Sequence, residues 1–260
     1  MTVDIAARPA PYVHGTSLVR ATLGPQTWDY ADIAAGILVH FDPRAATTGP
    51  LRLLEAGGGS ACWLPLPPGT EITTIDISQE QIDKNTYAGE KLLGDLETFD
   101  YGARRYDLIV CWDVLEHLAH PEAAVQRLAA VLAPGGHIVV KGPLPATLKG
   151  LVTRVTPHAL HVLFYRHILG SEHAGKPGYA PFKAHLAVAS NPDTIAHLLS
   201  GEGLTIDAIR GFETSQIAAI GAKSRLLLAA YRVAESVLSM LTFGHYTTRM
   251  TDFFLIAQRR

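Results

Sequence analysis

The chain has 260 residues, of which 48% are hydrophobic, and its formal net charge is −2. This length and composition suit one α/β domain, with insertions, that buries a sizeable core. The near-neutral charge gives no electrostatic basis for nucleic-acid binding, which usually depends on a basic patch. We therefore expect a protein whose partners do not include nucleic acid.

The location predicted from the sequence is the cytoplasm. Cys62 and Cys111 lie in apolar surroundings, which fits a reduced compartment better than a disulfide framework. The N-terminus lacks the basic and apolar regions of a secretion signal. The longest apolar segment, about 226–243, contains Arg232 and Glu235, whereas a membrane span needs about 20 nearly uncharged residues.

The first 142 residues divide into a lead-in and a core. Residues 1–50 are predicted to be an N-terminal helical lead-in or lid, with one helix over 28–41 that Pro43 stops. Residues 51–142 alternate between strand and helix patterns, which predicts a parallel sheet covered on both faces. Strands are predicted at 51–56, 71–76, 106–112 and 137–141, and helices at about 78–86 and 121–132.

Residues 143–260 are predicted to complete the same domain. The segment 144–190 is too long for an ordinary strand-to-helix connection, so we expect a lid insertion over the carboxyl end of the sheet. A helix follows at 191–200, where Asn191 is the expected N-cap and Pro192 the first helical residue. The remaining predictions are a strand at 204–212, a long helix at about 223–243 and a final strand at 252–257.

Three consecutive glycines follow the first predicted strand of the core. Glu55 ends that strand, and Gly57, Gly58 and Gly59 come directly after it. Glycine lets the backbone turn sharply and lets a ligand approach the main chain. Twenty-one residues after Glu55 the next strand ends in Asp76, the spacing at which a carboxylate binds a ribose diol in nucleotide-binding α/β folds. The pattern predicts a nucleotide-like cofactor.

These blocks, together with three that follow in order, resemble the class I S-adenosylmethionine-dependent methyltransferases. The further blocks are Gly94-Asp95-Leu96, the fourth strand with its loop over 106–118, and Leu132-Ala133-Pro134-Gly135-Gly136. The resemblance is strong over about residues 50–142 and weak over the last two strands. It departs from the family at Ala61, where a third spaced glycine is common.

The resemblance implies a Rossmann-like sheet of seven mostly parallel strands, with S-adenosylmethionine as cofactor. It implies methyl transfer to a small-molecule or lipid-like acceptor by in-line displacement. Glu55 is expected near the ammonium of the cofactor or the amides of the loop, Asp76 on the ribose and Asp95 near the adenine amine. The predicted cofactor-binding residues are Glu55, Gly57, Gly58, Gly59, Asp76, Ile77, Asp95, Leu96 and Trp112.

Four residues are predicted to contact the substrate. Asp113 and His117 follow the fourth strand, at the edge where ligands bind such sheets, and His117 is the predicted catalytic base or substrate-orienting group. An alternative stays open in which Asp113 caps a helix, with Glu116 three residues later. Tyr165 and Tyr179, in the insertion, are expected to line a pocket for an acceptor with apolar bulk.

The remaining features leave several alternatives. His158 and His161 are spaced for one helix face, but no acidic or thiol partner lies at ligand spacing, so no metal is predicted. The helix at 223–243 is expected to pack on the domain or on a homodimer partner rather than on a membrane. Two other functions remain open: a nicotinamide-dependent oxidoreductase, and a non-catalytic cofactor-binding partner at a membrane surface.

Overall fold

The computed structural model describes residues 27–28, 30–40, 42, 49–59, 62, 64–176, 181–182 and 190–260. The predicted stop at Pro43, the predicted substrate residue Tyr179 and most of the lead-in lie outside the described residues. The strands are β1 (Thr27–Trp28), β2 (Arg52–Ala56), β3 (Glu71–Asp76), β4 (Glu90–Leu93), β5 (Tyr106–Trp112), β6 (Leu132–Pro143), β7 (Leu204–Thr214) and β8 (Asp252–Arg259). The helices are α1 (Tyr30–Leu38), α2 (Gln79–Lys84), α3 (Pro121–Ala130), α4 (Leu148–Val155), α5 (His158–His167), α6 (Pro192–Gly201), α7 (Ser215–Lys223) and α8 (Arg225–Leu241).

The strands form one sheet in the order β1-β7-β8-β6-β5-β2-β3-β4. All neighbours are parallel except β8, which runs antiparallel to both β6 and β7. The predicted Rossmann-like sheet of seven mostly parallel strands is confirmed, and β1 adds two residues at its edge. The carboxyl ends of β2, β3, β5 and β6 therefore lie together, and the first residue of β8 joins them.

Both faces of the sheet are covered by helices. All seven residues of β5 are buried, as expected for a strand covered on both sides. On one face Ile109 packs with Leu128 of α3 and Leu199 of α6. On the other, Leu108 packs with Ile33 of α1. Burying apolar area at about 25 cal/mol per Å² stabilises this layered arrangement and fixes the loops at the strand tips.

Two predicted helices have different bounds in the structure. The first begins at Tyr30 rather than at residue 28, because Thr27 and Trp28 pair with β7. The long helix predicted at about 223–243 is α8, which begins at Arg225 and ends at Leu241, and the separate helix α7 before it was not predicted. Ser224 is extended (φ −157°) between them, and its hydroxyl accepts a hydrogen bond from the Leu227 N–H (3.2 Å), which starts the second helix.

The insertion at 144–190 contains two helices, α4 and α5. Thr147 caps α4, and Lys149 of α4 reaches the first residue of β8. The predicted cap of α6 is confirmed, since the Asn191 side chain accepts from the Asp193 N–H (2.9 Å). Over the described ranges, no helix is long and apolar enough to cross a bilayer.

Candidate active site

The glycine loop leaves β2 at the carboxyl edge of the sheet. Gly57 has φ +70° and donates to the Ile75 carbonyl (2.7 Å), which ties the loop to the end of β3. A Cβ on Gly57 would lie 2.5 Å from a Val114 methyl in the loop after β5. Gly59 also has positive φ, at +52°. Glycine is therefore required by both backbone conformation and the close approach of the neighbouring loop.

The carboxylate of Glu55 is buried beneath this loop. A Cβ on Gly58 would lie 2.8 Å from the Thr74 hydroxyl and 2.9 Å from Glu55 Oε2. The Tyr87 hydroxyl donates to the same Glu55 oxygen. Burial raises the pKa of Glu55, while the hydrogen bond from Tyr87 opposes the rise. Because Gly58 has no side chain, the Glu55 carboxylate can occupy the space next to it.

Asp76 ends β3 beside the glycine loop. Its Oδ1 accepts a hydrogen bond from the Ser78 N–H (2.8 Å), and burial raises the pKa of Asp76 despite this backbone bond. A Cβ on Gly59 would lie 3.9 Å from Asp76 Oδ2, so the second carboxylate oxygen faces the loop. Ile77 follows with 72% of its surface exposed, which presents an apolar face next to a carboxylate.

Three other predicted cofactor residues occupy different surroundings. Gly94 donates to the Asp76 carbonyl (3.0 Å), which places Asp95 next to the end of β3. Asp95 Oδ1 accepts from the Glu97 N–H (2.9 Å), so one of its oxygens holds a turn. The side chains of Leu96 and Trp112 belong to the two core clusters. Their contact with a cofactor stays a prediction.

Asp113 does not cap a helix, so the alternative interpretation from the sequence is wrong. Residues Leu115–His117 form a single 3-10 turn whose N-cap is Val114, without a side-chain cap. The Asp113 carboxylate instead accepts from Lys141 Nζ through both oxygens (2.6 and 2.7 Å). Asp113 has φ +54°, a strained conformation for this residue, and such strain clusters at functional sites.

Lys141 is the centre of a buried charge network. Only 4% of its side chain is exposed, and its Nζ also contacts Asp252 Oδ1 (3.1 Å). Lys149 of α4 contacts the other Asp252 oxygen (2.9 Å). Burial acts to raise the pKa of Asp252, but Lys149 and Lys141 hold it at about 2. Burial acts to lower the pKa of Lys141, yet Asp113 and Asp252 raise it overall. The network joins β5, β6, β8 and the insertion.

Glu116 and His117 lie beside this network. Burial, followed by the nearby charge of Asp113, raises the pKa of Glu116 to about 8. Glu116 Oε2 is buried without a hydrogen-bond partner among the described residues, and Oε1 lies 3.9 Å from His117 Nε2. The His117 ring packs edge-to-face on Phe182 of the insertion, with centroids 6.0 Å apart. The structure thus brings the insertion onto His117.

Tyr165 lies at the same sheet edge but in a different part of it. Its hydroxyl accepts a long hydrogen bond from Gln216 (3.4 Å), at the start of α7. Helix α7 follows β7, and in the sheet β8 and β6 lie between β7 and β5. Tyr165 therefore contacts a different part of the sheet edge from Asp113, which follows β5. A substrate contact of Tyr165 stays a prediction. Within the described residues, no three His, Cys, Asp or Glu side chains are grouped as for a metal ion.

The sequence analysis missed four residues that shape this edge. Asn85 is fully buried and donates to the Gly59 carbonyl (2.9 Å), and Tyr87 holds Glu55. Lys141 and Asp252 are the other two. A signal exists for the latter pair, because Lys141 directly follows the apolar run 138–140 and Asp252 directly precedes the apolar run 253–257. Asn85 and Tyr87 lie in a loop and carry no comparable signal.

Comparisons with known proteins agree on one class. A family model described as a methyltransferase domain matches residues 28–209. A ubiquinone biosynthesis O-methyltransferase of Coxiella burnetii is 30% identical over 89 residues, 32% of this chain and 38% of that protein. One of the same name from Alkalilimnicola ehrlichii is 28% identical over 98 residues, 34% and 40% of the two chains. The chain thus spans less than half the length of these relatives.

A solved structure extends the comparison across most of the fold. A putative sarcosine dimethylglycine methyltransferase from Galdieria sulphuraria aligns with a TM-score of 0.53 and 15% identity. The alignment covers 88% of this chain and 84% of that one. At this identity the likeness concerns the fold alone.

Proposed function

The chain belongs to the methyltransferase domain family, and on that premise we propose that it transfers a methyl group from S-adenosylmethionine to a small-molecule or lipid-like acceptor. The observation that carries the proposal is the pair of carboxylates at neighbouring strand tips. Glu55 and Asp76 flank one glycine loop, at the carboxyl edge where α/β sheets bind nucleotide-like ligands. The match over residues 28–209 supports the same chemistry.

The residues present fit this cofactor. Side chains on Gly57 or Gly58 would fill the space between the loop and its neighbours, so the loop brings bare backbone to the edge. Asp76 Oδ2, which faces the loop, would bind the ribose hydroxyls. The exposed side chain of Ile77 would cover one face of the adenine. Glu55 would hold the loop, and through it the ammonium end of the cofactor.

The chain's own residues would then position the acceptor. When bound, S-adenosylmethionine supplies an electrophilic methyl group on a good leaving group. Asp113 is held by Lys141, and His117, in the loop after β5, packs against Phe182 of the insertion. These groups would hold the acceptor in line and exclude water. Orientation of this kind supplies on the order of 7–11 kcal/mol in favourable systems.

We propose a hydroxyl oxygen as the acceptor atom. The relatives named O-methyltransferases support this choice. A hydroxyl must lose its proton during transfer, and in this proposal the imidazole of His117 accepts it. Nothing in the net charge favours nucleic acid as the acceptor. The cytoplasm remains the proposed location, supported by two free cysteines.

Calorimetric titration of the purified chain tests the cofactor directly. We expect saturable binding of S-adenosylhomocysteine and no binding of NAD. A saturable response to NAD with none to S-adenosylhomocysteine would replace the proposal with the oxidoreductase alternative. Binding of S-adenosylhomocysteine without methyl transfer to any phenolic or lipid extract fraction would favour the non-catalytic alternative.

A further inference from the structure

Helix α8 places Arg232 and Glu235 inward and exposes several apolar residues on its outer face, with Arg225 exposed at its first turn. Arg232 makes two hydrogen bonds to Glu213 of β7 (2.6 Å each) and one to Glu235 (2.8 Å). Both carboxylates are buried. A helix that merely covered a sheet would show the opposite arrangement. The outer face of α8 is therefore built for a contact that the single chain does not supply among its described residues.

The outer face carries apolar residues at regular spacing. We call them the α8 stripe: Leu226, Ala230, Val233, Val237, Met240 and Leu241, all exposed. The steps of four and three residues are those of a helix that packs along a partner helix. Leu226 is 82% and Met240 70% exposed. Single exposed apolar residues need no explanation, but a continuous stripe along a whole helix marks an interaction surface.

We propose that the α8 stripe binds the same stripe of a second copy of this chain, across a two-fold axis with the helices antiparallel. In a two-fold contact the same surface meets itself, so charged residues near the axis would repel their own copies. Arg225, at the first turn, is the one charged residue exposed along α8 in the described structure. The remaining exposed face is uncharged and meets its copy without repulsion.

The order of side-chain sizes along the stripe also suits an antiparallel pair. The middle of the stripe lies between Val233 and Ala234, so the two-fold axis passes there. The end with Leu226 then meets the end with Leu241, and the small Ala230 meets Val237. The small Ala230 opposite the larger Val237 lets the two helices approach closely, and the leucines pack together at the ends.

The exposed apolar surface continues beyond the helix. Leu241 is 68% and Phe243 is 97% exposed, so the stripe extends past the end of α8, as an interface of about 800 Å² for each partner requires. A membrane-surface helix needs Lys or Arg along the flanks of its apolar face. Here Arg232 is used in the inward ion pairs, which leaves Arg225 at one end.

The experiment compares the oligomeric state of the full chain with that of Val233→Glu by sedimentation over a range of concentrations. We expect a wild-type dimer, and a dissociation constant at least 100-fold larger for the variant. Val39→Glu, at an exposed valine after α1, is the matched control and should leave the dimer unchanged. Circular dichroism confirms that both variants fold.

A second variant tests the geometry. In Val233→Cys, mild oxidation should give a covalent dimer, because the two thiols lie near the two-fold axis. Val39→Cys should not. A wild-type chain that is monomeric at all concentrations would overturn the proposal, as would a Val233→Glu variant that dimerises like wild type. Sedimentation of monomers with anionic vesicles, abolished by Val233→Glu, would overturn it in favour of a membrane surface.

Discussion

Two regions of the same sheet edge are built on different principles. The tips of β2 and β3 carry the glycine loop, where small residues and backbone groups leave space beside two carboxylates. The tips of β5 and β6, with the start of β8, carry a network of charged side chains around Lys141. In the first region the absence of glycine side chains leaves space for a ligand. In the second region buried lysine and aspartate side chains neutralise one another. We expect mutations in them to affect different quantities.

The largest effect should come from Gly58→Val, which breaks the first region. A Cβ there would lie 2.7 Å from Glu55 Cβ and 2.8 Å from the Thr74 hydroxyl, so the Glu55 carboxylate must move. We expect S-adenosylhomocysteine binding to fall below detection in calorimetry, with the fold retained. Gly201→Val is the control, since nothing lies within 4 Å of a Cβ at that position. If Gly58→Val bound S-adenosylhomocysteine as tightly as wild type, the glycine loop would not be part of the cofactor site.

Lys141→Met should break the second region. It leaves the half-buried Asp113 without its counter-charge and the buried Asp252 with Lys149 alone, and removal of one partner of a buried pair costs about 3–5 kcal/mol. We expect the free energy of unfolding in urea to fall by that amount. Lys84→Met is the control, because the pair of Lys84 with Glu80 is partly exposed and contributes about 0–1 kcal/mol. An equal decrease in the free energy of unfolding in the two variants would contradict a stabilising role for the network around Lys141.

Asp76→Ala should separate binding from stability. The lost hydrogen bonds to a charged group should weaken S-adenosylhomocysteine binding by about 1.5–3 kcal/mol. Asp83→Ala, in the exposed part of α2, should bind as wild type does. Unchanged affinity in Asp76→Ala would remove this carboxylate from the proposed cofactor site.

Glu116→Gln should change the pH dependence of stability. Because the folded pKa of Glu116 is about 8, above its unfolded value, the folded state binds more protons between these values. The contribution of Glu116 to stability is complete below the unfolded pKa and is lost as pH rises through about 8. We therefore expect wild type to lose stability relative to Glu116→Gln between about pH 5 and pH 8.

Thermal unfolding of both proteins at several pH values measures this difference. Glu172→Gln, at an exposed position after α5, should follow the wild-type profile. Parallel profiles for wild type and Glu116→Gln would show that Glu116 is ionised in the fold.

The order of strands and helices was largely predictable because apolar periodicity and turn residues are local signals. The strands over 51–56, 71–76 and 106–112 were predicted close to their observed bounds. The helix predicted at about 223–243 corresponds to α8, whereas α7 directly before it was not predicted. The two helices are separated by the extended Ser224, and Arg232 of α8 bonds to Glu213 of β7, a contact that no local pattern indicates.

The sequence by itself determined the glycine loop and its two carboxylates, since Glu55, the glycines and Asp76 lie within about 20 residues and follow one pattern. Only the tertiary structure decided that Lys141 pairs with Asp252, 111 residues away, and with Asp113. Antiparallel pairing of β8 with β6 places Asp252 opposite Pro143, beside the end of β5. Such a charge network depends on which strand ends meet, and that is set by burial of the sheet rather than by any local pattern.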